Sequence, residues 1–146
     1  MRRILLAYDG SDSARRALDR AVVEARETQA RITVLSVEDI PLDPSIPRNF
    51  GTLDDIADWE GDTASAPPGV VTHLREANEQ LAEAGLDADL TWAAGEPGEM
   101  IAETARRIDA DAIVLGEHHH GRLARFFGAD IGSEVQHRAG CDVILA

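Results

Sequence analysis

Lysine is absent from this chain of 146 residues. The fourteen basic residues are all arginines and face 27 acidic residues, which gives a formal net charge of −13 at pH 7. This composition disfavours binding to nucleic acids or to anionic membranes, because both need a cationic face. Dense acidity without lysine is typical of proteins from salt-loving organisms, in which salt screens charge repulsion. We therefore expect a halophilic protein; the alternative is an ordinary acidic protein from a GC-rich genome.

Cysteine and long apolar runs are also scarce. The single cysteine, Cys141, excludes an internal disulfide and a multi-cysteine metal site, and beside a strand it is typical of a small buried residue. No run of 18 or more apolar residues is present, and Asp9 interrupts the first apolar run too early for a signal peptide. The length fits one domain over residues 1–146, which we expect to be cytoplasmic.

Short apolar runs alternate with helical patterns along the chain. The runs cover residues 4–8, 32–37, 88–93, 112–115 and 143–145, and the helical patterns cover 14–25, 70–84, 100–108 and 131–139. This alternation predicts an α/β domain with a parallel sheet covered by helices on both faces. The run 88–93 is the most polar, with Asp87, Asp89 and Thr91 in or beside it, and we expect that strand at a sheet edge.

One segment, residues 39–69, interrupts the alternation. It holds five of the six prolines and is rich in acids. Compact domains seldom contain thirty residues without regular structure, so this insertion is either a functional flap or a solvated excursion.

A glycine-rich turn follows the run 112–115. Gly116 ends the run, and Gly132-Ser133 precedes a helical pattern. Glycines allow the backbone to approach an anion, and a helix N-terminus favours negative charge, so this turn is a candidate phosphate site. His118, His119 and His120 lie within it, close to Arg122 and Arg125. They are solvated loop residues, contacts to phosphate or another anion, or metal ligands, and the sequence leaves these three alternatives open.

Both ends of the chain resemble the universal stress protein family. At the beginning the resemblance lies in Ile4-Leu5-Leu6-Ala7-Tyr8-Asp9-Gly10-Ser11, and at the end in Asp111 to Gly116, Gly132-Ser133-Glu134-Val135 and Gly140 to Leu145. The resemblance implies a doubly wound, open parallel five-stranded sheet of strand order 3-2-1-4-5. It also implies a homodimer paired through the final strand. A subset of the family binds ATP or AMP, which implies a site at the carboxyl ends of the strands, where strand order reverses.

Carrying that subset's site over position by position gives a set of candidate residues. The acidic residue after strand 1 corresponds to Asp9 with its neighbour Gly10, and the residue that meets adenine through its backbone corresponds to Val37. The phosphate loop of the subset has glycine, two residues, glycine, nine residues, glycine, then Ser or Thr. Here His119 occupies the second glycine position, and the loop is about three residues longer. The candidate phosphate contacts are Gly116, Gly121, Gly132 and Ser133.

Three functions remain open. The first is an adenine-nucleotide sensor in stress response, with ATP or AMP, possible Mg²⁺ and a degenerate phosphate loop. The second is a nucleotide-free dimeric interaction module. The third is a slow ATP hydrolase that uses Asp9 on a metal-bound phosphate. No nucleophile elbow, Walker loop or dinucleotide fingerprint is present, so no catalytic residue is assigned.

Overall fold

The structure, a computed structural model, describes residues 2–39, 49–52, 68–116 and 139–146. Its elements are β1 (Arg3–Ala7), α1 (Asp12–Thr28), β2 (Arg31–Asp39), β3 (Asn49–Thr52), α2 (Pro68–Glu83), β4 (Ala88–Gly95), α3 (Pro97–Arg107), β5 (Ala112–Leu115) and β6 (Asp142–Leu145). All five predicted strands and three of the four predicted helices are present where the apolar patterns placed them. The helical pattern 131–139 lies almost wholly outside the described residues.

The strands form one sheet in the order β3-β4-β2-β1-β5-β6. The five strands from β4 to β6 are parallel, and numbered along the chain they have the order 3-2-1-4-5. The predicted fold class and strand order are therefore confirmed. Neighbouring parallel strands need crossover connections. Helices α1, α2 and α3 provide three of them, and the connection from β5 to β6 lies mostly outside the described residues.

The position of β4 corrects one prediction. This strand was expected at the sheet edge, but β3 pairs with it in antiparallel fashion, with Asn49 opposite Ala94 and Thr52 opposite Thr91. β3 comes from the 39–69 insertion, so part of that insertion extends the sheet. The polarity of β4 is explained by an ion pair between Asp89 and Arg31 of β2. Arg31 Nε donates to Asp89 Oδ2 and Arg31 Nη2 donates to Asp89 Oδ1, each at 2.7 Å.

The core lies on both faces of the sheet, as parallel strands require. Helices α1 and α2 cover one face, where Ile4, Leu6 and Val34 are fully or almost fully buried. Helix α3 covers the other face, where Leu5 and Leu35 are fully buried. Successive strand side chains point to opposite faces, so each apolar run supplies both layers.

Local signals explain how α1 begins and ends. The Ser11 hydroxyl caps the helix by accepting a hydrogen bond from the Ala14 amide at 3.1 Å. Gln29 ends the helix with φ of 55°, and its amide donates to the Ala25 carbonyl. The start of α1 is thus set within four residues of β1, which keeps the connecting turn short.

Candidate functional site

The carboxyl ends of β1 and β5 mark the point where strand order reverses. β1 lies between β2 and β5, and the chain leaves β1 toward α1, which packs against β1 and β5. In open parallel sheets this edge carries the ligand crevice. The residues that follow β1 and β5 therefore form the candidate site.

The turn after β1 presents Asp9 at this edge. Asp9 is exposed, and its Oδ1 accepts a hydrogen bond from the Ser11 amide at 3.0 Å. One carboxylate oxygen thus closes the turn, while the charged group remains exposed at the sheet edge. Gly10 between them has φ of +78°, a conformation that glycine adopts without strain.

The end of β5 meets the start of α1 at Gly116. Gly116 is buried, and a Cβ built on it would stand 2.5 Å from the Ser13 Oγ and 2.7 Å from the Ser13 carbonyl carbon. Only a glycine permits this approach. Sequence reasoning assigned Gly116 to phosphate; its position also has a packing requirement that the sequence did not reveal.

Val37 lies at the same edge, two residues beyond the last contact between β1 and β2. The Tyr8 amide donates to the Leu35 carbonyl at 2.9 Å, so the backbone of β2 continues past the end of β1. The Val37 side chain is half-buried against the α3 face, and its backbone pairs with Ala93 of β4.

The structure thus places four predicted site residues, Asp9, Gly10, Val37 and Gly116, at one edge of the sheet. Gly121, Gly132 and Ser133 lie outside the described residues, as do the histidine cluster and its two neighbouring arginines. The nucleotide roles assigned to all seven positions remain predictions.

A polar network that joins the buried Tyr8 to partly exposed side chains lies beside the turn, and the sequence did not predict it. The Tyr8 side chain is 2% exposed, and its hydroxyl donates to the Glu76 Oε1 at 2.7 Å. Arg15 Nε and Gln80 Nε2 donate to the same oxygen at 3.3 Å and 3.5 Å. Burial, and then the Glu76 hydrogen bond and charge, raise the pKa of Tyr8 to about 12. The Tyr8 hydrogen bond is also the main cause that lowers the pKa of Glu76.

The only signal for this network was a tyrosine at the end of an apolar strand. A buried tyrosine hydroxyl needs a partner, which predicts that one exists but does not say which residue it is. Glu76 lies 68 residues further along the chain, so only the packing of α2 identifies it.

The described residues form no metal-binding cluster, and their one cysteine is poorly suited to act as a reactive thiolate. No group of three or more His, Cys, Asp or Glu side chains in that part could hold a metal ion. Burial, with smaller effects of Asp142 and Asp111, raises the pKa of the half-buried Cys141 thiol. A raised pKa disfavours the reactive thiolate. In the same ranges of residues, no helix is long and apolar enough to cross a membrane.

Comparison with known proteins identifies the family. The model of the universal stress protein family matches residues 1–146. The chain belongs to this family. It is 28% identical over 159 residues to the stress response protein NhaX of Bacillus subtilis, an alignment that covers 98% of this chain and 96% of NhaX.

Solved structures of universal stress proteins share the fold over nearly the whole chain. One, in complex with cAMP, is 25% identical with a TM-score of 0.68, covering 99% of this chain and 96% of its own. Another, from Archaeoglobus fulgidus in complex with dAMP, is 25% identical with a TM-score of 0.58. The match covers 99% of the present chain and 96% of the Archaeoglobus chain. These two universal stress proteins therefore bind adenine nucleotides.

Proposed function

We propose that this universal stress protein is a non-catalytic adenine-nucleotide sensor that binds its ligand at the carboxyl edge between β1 and β5. The observation that carries the proposal is the exposed Asp9 carboxylate, held by its own turn at the point where strand order reverses. The complexes of related proteins with cAMP and dAMP support it.

The ligand we favour carries one phosphate. Both nucleotides in those complexes are monophosphates. The glycine loop is about three residues longer than the spacing of the ATP-binding subset, and its second glycine position is occupied by His119. A cleft suited to AMP or a cyclic monophosphate is therefore a better fit than one that grips a triphosphate with Mg²⁺. Gly121, Gly132 and Ser133 are the proposed phosphate contacts.

The role of Asp9 is tested by Asp9→Asn. Asparagine retains the side-chain oxygen that closes the turn on the Ser11 amide but removes the charge. Charged hydrogen bonds are roughly twice as strong as neutral ones, so we expect AMP affinity to fall by about five- to tenfold. The matched control is Asp19→Asn, the same change at an exposed position of α1. Equal affinities of the two variants would contradict the proposed site.

We also propose that the sensor is a homodimer paired through β6. This strand ends the described sheet, and its Leu145 is 39% exposed. Val143 and Ile144 beside it are half-buried. An apolar edge strand is prone to pair with another chain, and a second copy supplies a matching edge.

Light scattering in molar salt tests the assembly. We expect about twice the chain mass of 15.7 kDa for the wild type. Leu145→Asp is expected to give the monomer, because it places a charge at the proposed contact. Val23→Asp, which makes the same kind of change at a 49% exposed residue of α1, is expected to leave the dimer intact. A monomeric wild type at high protein concentration would refute the proposed assembly.

A further inference from the structure

Helix α2 contacts the chain on both sides of the Asp9 turn. Immediately before the turn, Tyr8 donates its hydroxyl hydrogen to Glu76, and after the turn Arg15 of α1 donates to the same oxygen. Glu76 therefore links the end of β1 and the first turns of α1 to one point on α2. Glu76 thus holds the residues on either side of the turn, but these hydrogen bonds do not involve Gly10 at the centre of the turn.

The centre of the turn is filled by His73, which lies three residues before Glu76 and so on the same side of α2. A Cβ built on Gly10 would stand 2.9 Å from the His73 Cδ2 and 3.0 Å from its Nε2. The imidazole ring thus occupies the space where a side chain of residue 10 would lie. His73 itself is half-buried.

Gly10 is the residue of the turn with the greatest conformational freedom. It has φ of +78°, and glycine populates positive and negative φ about equally. The hydrogen bond from the Ser11 amide to the Asp9 carboxylate closes the turn, but it does not involve the backbone groups of Gly10. A ring packed beside Gly10 restricts the backbone conformations that Gly10 can adopt.

We propose that His73 is a positioning residue for nucleotide binding: its ring holds Gly10 and thereby orients the Asp9 carboxylate toward the nucleoside. This inference rests on the function proposed above. It depends on the shape of the ring, since the atoms nearest to the space beside Gly10 are the ring atoms Cδ2 and Nε2. A planar ring without a charge should therefore serve as well.

Three variants separate shape from charge and from general damage to α2. His73→Ala leaves Gly10 uncovered, His73→Phe restores a planar ring, and Glu79→Ala changes an exposed residue of the same helix. With AMP as the probe, we expect His73→Ala to bind about fivefold more weakly, because one backbone residue must be ordered on binding. His73→Phe and Glu79→Ala are expected to bind within twofold of the wild type.

Thermal melts of the same variants show whether His73 acts only through stability. A loss of affinity in folded His73→Ala, measured far below its melting temperature, separates positioning from unfolding. Undiminished affinity of His73→Ala overturns the inference. A failure of His73→Phe to restore affinity also overturns it, since it shows that the imidazole meets the ligand directly.

Nuclear magnetic resonance tests the contact without any ligand. A ring beside Gly10 shifts the resonances of its two α-protons, and we expect this shift to be lost in His73→Ala and kept in His73→Phe. The Ser11 amide is expected to exchange with solvent faster in His73→Ala. If the wild type binds neither AMP nor cAMP, the proposed function fails, whereas unchanged Gly10 resonances in His73→Ala show that the positioning contact itself is absent.

Discussion

Tyr8 is the only tyrosine of the chain, so an alkaline titration of phenolate absorbance reports on one group. Its hydroxyl donates to the Glu76 Oε1 at 2.7 Å, and its side chain is nearly fully buried. Burial is the largest cause that raises its pKa, from 10.0 to about 12, followed by the hydrogen bond and the charge of Glu76. We predict a titration midpoint near pH 12 in the folded protein.

The same shift predicts how stability depends on pH. The pKa of Tyr8 is higher in the folded protein than in the unfolded chain, so the folded state favours the neutral phenol. The resulting stabilisation is fully present below pH 10 and is lost as the pH rises from 10 through 12. Chemical unfolding of the wild type should therefore become easier across this range, and Tyr8→Phe should show a weaker dependence on alkaline pH.

Two variants test the physical causes separately. Glu76→Gln removes the negative charge but keeps the burial, so we expect a midpoint between 10 and 12. The positive charge of Arg15 lowers the pKa of Tyr8, so we expect Arg15→Gln to raise the titration midpoint of Tyr8. Circular dichroism recorded at each pH shows whether the protein is still folded. A tyrosine that titrates near 10 while the native spectrum persists would refute the network.

The remaining predictions concern packing and charge. Gly116→Ala brings a Cβ to 2.7 Å from a backbone carbon of Ser13, and a side-chain rotation cannot relieve this clash. Overpacking of this kind costs about 2–3 kcal/mol. We therefore expect the melting temperature to fall by about 5–10 °C. Gly69→Ala in α2 is the control: its Cβ has no neighbour within 4 Å, and we expect no loss of stability. With net charge −13 and no lysine, the melting temperature should rise steeply between dilute buffer and molar KCl, and a flat midpoint would reject the halophilic interpretation.

The fold was predictable because each strand and helix carries its own apolar pattern. The runs 4–8 and 112–115 are short and continuous, as strands buried on both faces must be. β3 was missed because four residues in a proline-rich segment show no period, and their pairing with β4 is a tertiary contact. The edge position of β4 was wrong because the polarity of Asp89 reflects its ion pair with Arg31.

The positions of the candidate residues at the sheet edge were predictable where these residues lie at or directly after the ends of strands. Asp9 was assigned by its resemblance to the nucleotide-binding subset, and Gly116 by the glycine-rich turn after the run 112–115; both follow parallel strands, whose carboxyl ends meet at one edge. His73 and Glu76 carried no signal of their own, since they appear as ordinary polar positions of an amphipathic helix. Their contacts with Gly10 and Tyr8 join positions more than 60 residues apart, which a pattern along the chain does not report.

Calorimetric titration of the wild type in molar salt tests the central claim most directly. The ligands are AMP, cAMP and ATP, the last with and without Mg²⁺, each added to protein shown by mass spectrometry to be free of bound nucleotide. The account predicts saturable binding of a monophosphate at one ligand per chain, weakened in Asp9→Asn and retained in Asp19→Asn. Absence of heat with every ligand, together with no nucleotide released from the purified protein, would contradict it and favour the nucleotide-free dimeric module.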